Sequence, residues 1–486
     1  MVIKVFNTLT GKKEEFKPLQ SDTVGIYLCG PTVYDEPHIG HARSAYVFEV
    51  IRRYFQFKGY KVRFVRNVTD VDDKIISKAR EQKTPEDISL VCKQIAEKYY
   101  NIYSLWMSKL GISPPDIEPW ATEHIPEMQK LISILIDKEY AYVSNGDVYF
   151  RVKKFEEYGK LSKRSWDELI AGARIEPGEN KEDPLDFALW KKAKPQEPSW
   201  DSPWGKGRPG WHIECSVMST SYLGVPFDIH CGGIDLIFPH HENEIAQSEA
   251  ATEKQFARYW LHNGLLTING HKMAKSLGNF ITIEQVLSRY HPDILKLFFL
   301  STNYRNPIDF SWEKLDELVE AKEKLDSFLA RSVGIKRNET QLKSSKVSNM
   351  FQKLNKLREQ YIQAMDDDFN TAVALGTLYE LTNLGNKILD DATIWFVHKN
   401  ILISEIRQTI LNFGKIFCLF EEVSESKEYA QLLDKVVAIR ELLRREKQYT
   451  IADKIREELM SLGIIVEDGK DKTTWRKASK LNESQA

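Results

Sequence analysis

Residues able to share one zinc ion stand far apart in this chain of 486 residues: Cys29 near its start, then Cys215, His240 and Glu244. If one ion gathers them, distant stretches must return to one place, and few folds allow that. Zinc takes Cys, His and carboxylate donors, four at a time. The spacing His240-x-x-x-Glu244 sets both side chains on one helix face, with His241, three residues before Glu244, as an alternative donor. Closed structural sites favour close CxxC pairs, and none occurs here. A substrate-facing site is therefore expected. Cys231 beside the cluster, and Cys92 and Cys418 in helical segments, read as small packed residues.

Nucleotide chemistry is suggested by Pro37-His38-Ile39-Gly40-His41, which places two imidazoles at a strand-to-helix turn. Val24 to Leu28 reads as the strand, and Ala42 to Phe55 as the helix, with Ala45, Val47, Phe48, Ile51 and Phe55 at helical spacing. Such a turn aims backbone N–H groups and the helix dipole at an anion, and Gly40 removes a Cβ that would hold a nucleotide off. Lys272 and Lys275, in a loop after Gly270, are placed to stabilise charge as pyrophosphate leaves.

Seven ordered blocks turn these hints into a resemblance. His38 to His41 and Lys272-Met273-Ala274-Lys275-Ser276 resemble the HIGH and KMSKS signatures of class I aminoacyl-tRNA synthetases. Cys29 to Asp35, Asn67 to Lys74, Gly210 to Cys215, His230 to Asp235 and Phe238 to Glu244 resemble, in order, the cysteinyl-tRNA synthetase family. The likeness runs from about residue 20 to the C-terminus. Its one departure is Ala274, where the family has serine; both lysines remain, so the resemblance implies that the chemistry is kept.

That resemblance implies a Rossmann-like parallel-sheet catalytic domain with an insertion, followed by a helical bundle and a small α/β unit. It implies one Zn²⁺ held by Cys29, Cys215, His240 and Glu244, since the family match favours His240 over His241. ATP with Mg²⁺, L-cysteine and tRNA(Cys) are the implied partners. The roles follow residue by residue: His38, His41, Lys272 and Lys275 in catalysis; Gly40, Gly232, Asp235 and Lys275 on ATP; Thr69, Trp211 and His230 in the amino-acid pocket. A pocket that sorts by shape separates cysteine from serine by only ~100-fold; zinc prefers the softer thiolate. Two rivals are a cysteine ligase acting on a small amine and a catalytically silent zinc scaffold. The intact His and Lys pairs oppose the second, and the C-terminal tail opposes the first.

Organisation follows from patterning. Residues 1–110 and 209–265 alternate strand and helix runs and are expected to form a split nucleotide-binding domain around an insertion, 111–208. Residues 266–335 hold the lysine loop and a helical stem-contact region, 345–425 a helical bundle that binds the anticodon, and 426–486 the small α/β recognition unit. Ser332 to Ser348 is the best linker. In the last unit, Ile451, Ile455, Leu459 and Leu462 fall on one stripe, Gly463 is placed to end that helix, and a turn at Gly469 follows a strand at Ile464. Trp475 and Arg476 are tRNA-contact candidates; Trp475 suits either base stacking or a small core.

Composition adds boundaries. A net charge of −2 means that RNA must meet local basic surface. Lys58, Lys61, Arg63 and Arg66, and Arg440, Arg444, Arg445, Lys447, Lys454 and Arg456, are candidates, though each such run is more often a solvated helix face than a binding patch. No apolar run approaches 18 residues and no signal peptide is legible, so no membrane span is expected. Five cysteines at wide spacing point to a reducing compartment. A monomeric cytoplasmic enzyme is expected.

Overall fold

Thr23 to Leu28 carries apolar residues on both faces, which suits a strand covered on both sides. In the computed structural model it is the first strand, β1 (Thr23–Leu28), of a sheet completed by β2 (Lys61–Arg66), β3 (Phe227–Gly233) and β4 (Ala257–Asn263). All pairs are parallel, in the order β4-β3-β1-β2. The structure describes residues 2–82, 87–165, 168, 181–273, 278–333, 345–420, 427–462, 464–468 and 473–477.

The chain leaves β1 towards β2 and then crosses to β3 on the other side of β1. That reversal creates a crevice at the carboxyl ends of β1 and β3, where open α/β sheets bind ligands. Register fixes what meets there: Tyr27 lies beside His230 and Leu28 beside Cys231. Cys29 therefore leaves the sheet beside Gly232.

Helix α1 (Ile39–Phe57) follows β1 and buries Ala42, Ala45, Phe48, Ile51 and Phe55 against the sheet and the later helices. Its Arg43 is fully buried without a carboxylate among the described residues. Nη1 donates to the carbonyls of Gly264 and Leu265, both at 2.7 Å, and Nη2 to those of Asn306 at 2.5 Å and Tyr304 at 3.3 Å. Burial lowers this guanidinium to about 10. Arg43 thus ties α1 to the segment leaving β4 and to the start of the helical half.

Both sheet edges are occupied. An N-terminal hairpin, Lys4–Asn7 with Lys12–Glu15, was not legible in the sequence. Its Asn7 accepts from Trp260 N at 3.0 Å and donates to Arg258 O at 3.0 Å along β4. On β2, Arg66 N donates to Ile117 O and Asp116 accepts from Phe64 N.

Between β2 and β3 stand the helix Ile125–Asp137 and an antiparallel sheet of Ala141–Ser144, Asp147–Phe150, Phe187–Lys192 and Gly207–Pro209. Its last strand runs into α2 (Trp211–Leu223), and Gly210 permits the turn, since a Cβ there would lie 2.0 Å from Ala188 O. After β4 come a small sheet and the helix Trp312–Arg331, then three helices, Ser345–Asp366, Thr371–Asp390 and Phe396–Ile416. Most of the expected linker, including everything from 334 to 344, lies outside the described residues.

The C-terminal unit packs Lys427–Arg445 and Tyr449–Ser461 on the hairpin Ile464–Asp468 with Thr473–Lys477, around Leu433, Val437, Leu459, Ile464 and Val466. Its second helix is rotated from the expected stripe. Ala452 and Leu459 are buried, whereas Ile451 is 51% and Leu462 71% exposed, because the inward face centres on Ala452 and the other two sit at its margin. Gly463 and Gly469 lie outside the described residues.

Arg43→Met keeps volume but removes the bonds to all four carbonyls, two of them in buried contacts. It should cost about 3 kcal/mol, read as a lowered urea midpoint; an unchanged midpoint would mean that solvent reaches these carbonyls.

Candidate active site

At the end of β1, Cys29 Sγ lies 3.8 Å from Cys215 Sγ, 3.7 Å from Glu244 Oε1 and 3.3 Å from His241 Nε2. His240 Nε2 is 2.9 Å from Glu244 Oε1. Ligand atoms of Cys29, His240, His241 and Glu244 all fall within 4.8 Å of one another, and Cys215 hydrogen-bonds both Cys29 and His240. Two thiols, imidazole and a carboxylate make a donor set that fits a soft four-coordinate ion.

The charges separate accordingly. The hydrogen bond from Cys29 lowers the Cys215 thiol to about 6, while burial and that same pairing push the Cys29 thiol well up. Burial opposes ionisation of Glu244, but His230 and His240 outweigh it and hold the carboxyl at about 2. Burial likewise opposes a charge on His240, which Glu244 and Cys215 lift to about 10.

Supporting groups hold these donors. His230 is buried, stacks on Trp260 at 4.3 Å and meets Glu244 Oε2 at 2.8 Å. Trp211 stacks on His240 at 4.1 Å. The inserted segment grips the same stretch: Tyr158 Oη donates to Asn243 Oδ1 at 2.5 Å and Ser162 N to Glu242 at 2.7 Å. Thr69 donates to the buried Glu214 at 3.0 Å. Gly232 is needed for packing, because a Cβ would come 2.7 Å from the His241 ring.

The histidine pair is built by the start of α1. His38 is the N-cap; its Nδ1 accepts from Gly40 N at 3.1 Å and His41 N at 3.3 Å, while His41 Nδ1 accepts from His38 N at 3.3 Å. With both Nδ1 atoms accepting, the neutral rings carry hydrogen on Nε2. They stack at 3.7 Å. Burial lowers His38 to about 2, helped by His41, and lowers His41 to about 4, helped by Lys74.

Lys272 arrives on a tight hairpin. Asn269 and Gly270, at φ 50° and 77°, form the two-residue turn between Leu266–Ile268 and His271–Lys272. Asp309 accepts from Gly270 N at 2.6 Å and from Thr267 at 2.7 Å. Beyond the loop the chain is strapped to the histidine turn, with Ile39 N donating to Ile281 O and Ile283 N to Pro37 O. Ala274 and Lys275 lie outside the described residues. A cavity of about 670 Å³ unites Cys29, His38, Gly40, His41, Trp211, Asp235 and Lys272 in its lining.

Residues 15–320 match the family model for the class I (C) tRNA synthetase catalytic domain, 360–421 a DALR domain, and 428–476 the cysteinyl-tRNA ligase anticodon binding domain. A cysteine–tRNA ligase of Persephonella marina is 50% identical over 98% of this chain and 100% of its own length. One of Thermococcus gammatolerans is 47% identical over 98% of this chain and 99% of its own. The chain belongs to the cysteine–tRNA ligase family. The fold agrees with a class I synthetase: Mycobacterium tuberculosis methionyl-tRNA synthetase with methionyl-adenylate aligns over 86% of this chain and 94% of its own at TM-score 0.63 and 13% identity.

For a member of this family the expected site residues fall into three groups. Cys29, His38, Gly40, His41, Trp211, Asp235 and Lys272 line the cavity; Cys215, His240, Glu244, Thr69, His230 and Gly232 are buried. Trp475 and Arg476 are remote, in the small terminal unit. Trp475 Nε1 donates to Asp434 at 2.8 Å, and Arg476 Nε donates to Glu467 at 2.8 Å. Several basic candidates are already engaged: Arg66 with Glu118, Lys58 with Asp366 and the buried Arg440 with Asp468. Arg43, Glu242 and Asn243 carry no sequence signal of their contacts. Among the described residues no helix is long and apolar enough to cross a membrane.

Both histidines fold with pKa values below the free value of 6.5, so the unfolded chain binds more protons. Their contribution to stability is full above about pH 6.5 and falls as pH drops towards about 4. His41→Asn should lose less stability than the parent on acidification from about pH 7 to 5, with melting temperature as the readout; equal losses would place the proton uptake elsewhere.

Proposed function

We propose that this chain activates L-cysteine with ATP, releasing pyrophosphate, and transfers the aminoacyl group to the terminal ribose of tRNA(Cys). The observation that carries this reading is one cavity joining the Cys29 donor cluster to the His38–His41 pair, in a chain about half identical, along its length, to cysteine–tRNA ligases. The anticodon-binding unit at 428–476 weighs against delivery to a small amine.

Cys29, Cys215, His240 and Glu244 would hold zinc. Bound there, the ion supplies a soft Lewis-acid site that prefers the substrate thiol to the hydroxyl of serine. His230 positions Glu244, and Trp211 holds His240 while closing the amino-acid side. Asp235, on the cavity wall, is suited to accept from ribose hydroxyls. The cysteine carboxylate oxygen attacks the α-phosphorus, and the bond to pyrophosphate breaks. His38 and His41 act as neutral Nε2–H donors to the phosphate oxygens, while Lys272 and Lys275 supply positive charge. In the second step the ribose hydroxyl attacks the activated carbonyl and AMP leaves. Mg²⁺ enters with ATP. The protein works as a monomer in the cytoplasm, and the terminal unit around Trp475 and Arg476 meets the anticodon.

Labelled pyrophosphate should exchange into ATP with cysteine and not with serine, and tRNA(Cys) should then be charged. Exchange without charging would return the small-amine ligase, and no exchange in zinc-supplied protein would defeat the enzyme reading. Cys215→Ser should lose zinc affinity by about tenfold or more, whereas His241→Asn should keep the metal by elemental analysis. The opposite pattern would exchange Cys215 for His241 in the ligand set.

A further inference from the structure

The cavity has a second lysine that nothing above employs. Lys74 stands in the first turn of the helix Asp73–Glu81, which follows β2, and its side chain lines the cavity together with His38, His41 and Lys272. Acidic residues surround it, yet no carboxylate among the described residues pairs with its ammonium group. Asp73 is taken by Lys191 at 3.1 Å and by Arg208. Asp35 is taken by Lys78 at 3.2 Å. Asp72 spends its carboxylate as the helix cap, accepting from Lys74's own backbone N–H at 2.9 Å. The ammonium instead rests over the Tyr34 ring, 5.0 Å from its centre.

A cation resting on an aromatic face keeps its N–H donors uncommitted to any carboxylate, and it can turn them towards an anion. The placement of Lys74 is complementary to that of Lys272. One comes from beyond β2 and the other from beyond β4, the two opposite edges of the sheet, and the neutral histidines lie between them. Neutral imidazoles cannot balance the charge of a triphosphate. Arg43 and Arg66, the remaining cationic side chains on the wall among the described residues, are committed to carbonyls and to Glu118. The field of Lys74 already reaches His41, where it is the second cause of the lowered pKa after burial.

We propose that Lys74 is a phosphate-binding residue of cysteine activation, gripping the pyrophosphate portion of ATP from the side opposite Lys272. The assignment rests on the ligase reading above. A phosphate at the tRNA end offers the same chemistry, but the proximity to His41, at the turn built for the nucleotide, favours ATP.

The test is cysteine-dependent pyrophosphate exchange by the full chain in the absence of tRNA, after the parent protein has shown exchange; a silent parent would fail the underlying reading and not this one. Lys74→Ala should raise KM for ATP and lower kcat, together by about tenfold or more in kcat/KM. KM for cysteine and zinc content should stay unchanged. Lys74→Arg should recover most of the loss, and inorganic tripolyphosphate should inhibit Lys74→Ala more weakly than the parent. Lys78→Ala, on the same helix but paired with Asp35, should behave as the parent. Parent-like exchange by Lys74→Ala would overturn the proposal, and if charging alone fell the lysine would belong to the tRNA. An arginine variant as poor as alanine, with equal tripolyphosphate inhibition, would reduce Lys74 to a packing residue.

Discussion

The parallel pairing of Thr23–Leu28 with Phe227–Gly233 is the constraint on which the molecule depends. Backbone hydrogen bonds there place Leu28 beside Cys231, so that Cys29 leaves the sheet beside Gly232 although some two hundred residues separate them. A slip of one residue would turn every side chain to the opposite face. The thiol would then leave the donor cluster, and Tyr27 would no longer lie beside His230.

A second tier of contacts joins the histidine turn and its helix to the segments around the lysine hairpin. Arg43 binds carbonyls from the two stretches that flank the lysine hairpin, while backbone bonds from Ile39 and Ile283 strap the far side of that loop to the histidine turn. Neither contact is catalytic in itself. Each removes freedom from a group that must meet a reacting phosphate, which is how a fixed scaffold contributes to rate. The grip of Tyr158 and Ser162 on Asn243 and Glu242 performs the same service for the donor cluster, and it makes the inserted segment part of the site's support.

Much of this was legible in the residues. The strand at Val24 and the helix after His41 follow from periodicity and glycine placement, and the convergence of Cys29 with Glu244 from donor chemistry together with the family resemblance. What stayed hidden depends on neighbours distant in sequence. Nothing near Arg43 announces that its guanidinium will be held by carbonyls, and nothing near Ile451 says that the inward face of its helix will centre on Ala452. Thr69 and His230 illustrate what packing adds, since a motif names a residue but only the fold shows that Thr69 meets Glu214 and His230 meets Glu244. The neutrality of His38 and His41 is likewise a property of burial and of their mutual cap.

The treatment of the sheet margins has a consequence for the fate of the chain outside its native state. A four-stranded parallel sheet with bare edges would template addition of further strands. Here Asn7 presents amide oxygen and nitrogen to the last strand much as a neighbouring peptide would, and residues 116–119 do so along Lys61–Arg66. The N-terminal hairpin is therefore a guard against self-association as much as an ornament of the fold. Loss of its few residues would open one margin to intermolecular pairing and would also remove Thr8, whose hydroxyl meets His262 at 2.8 Å behind His241.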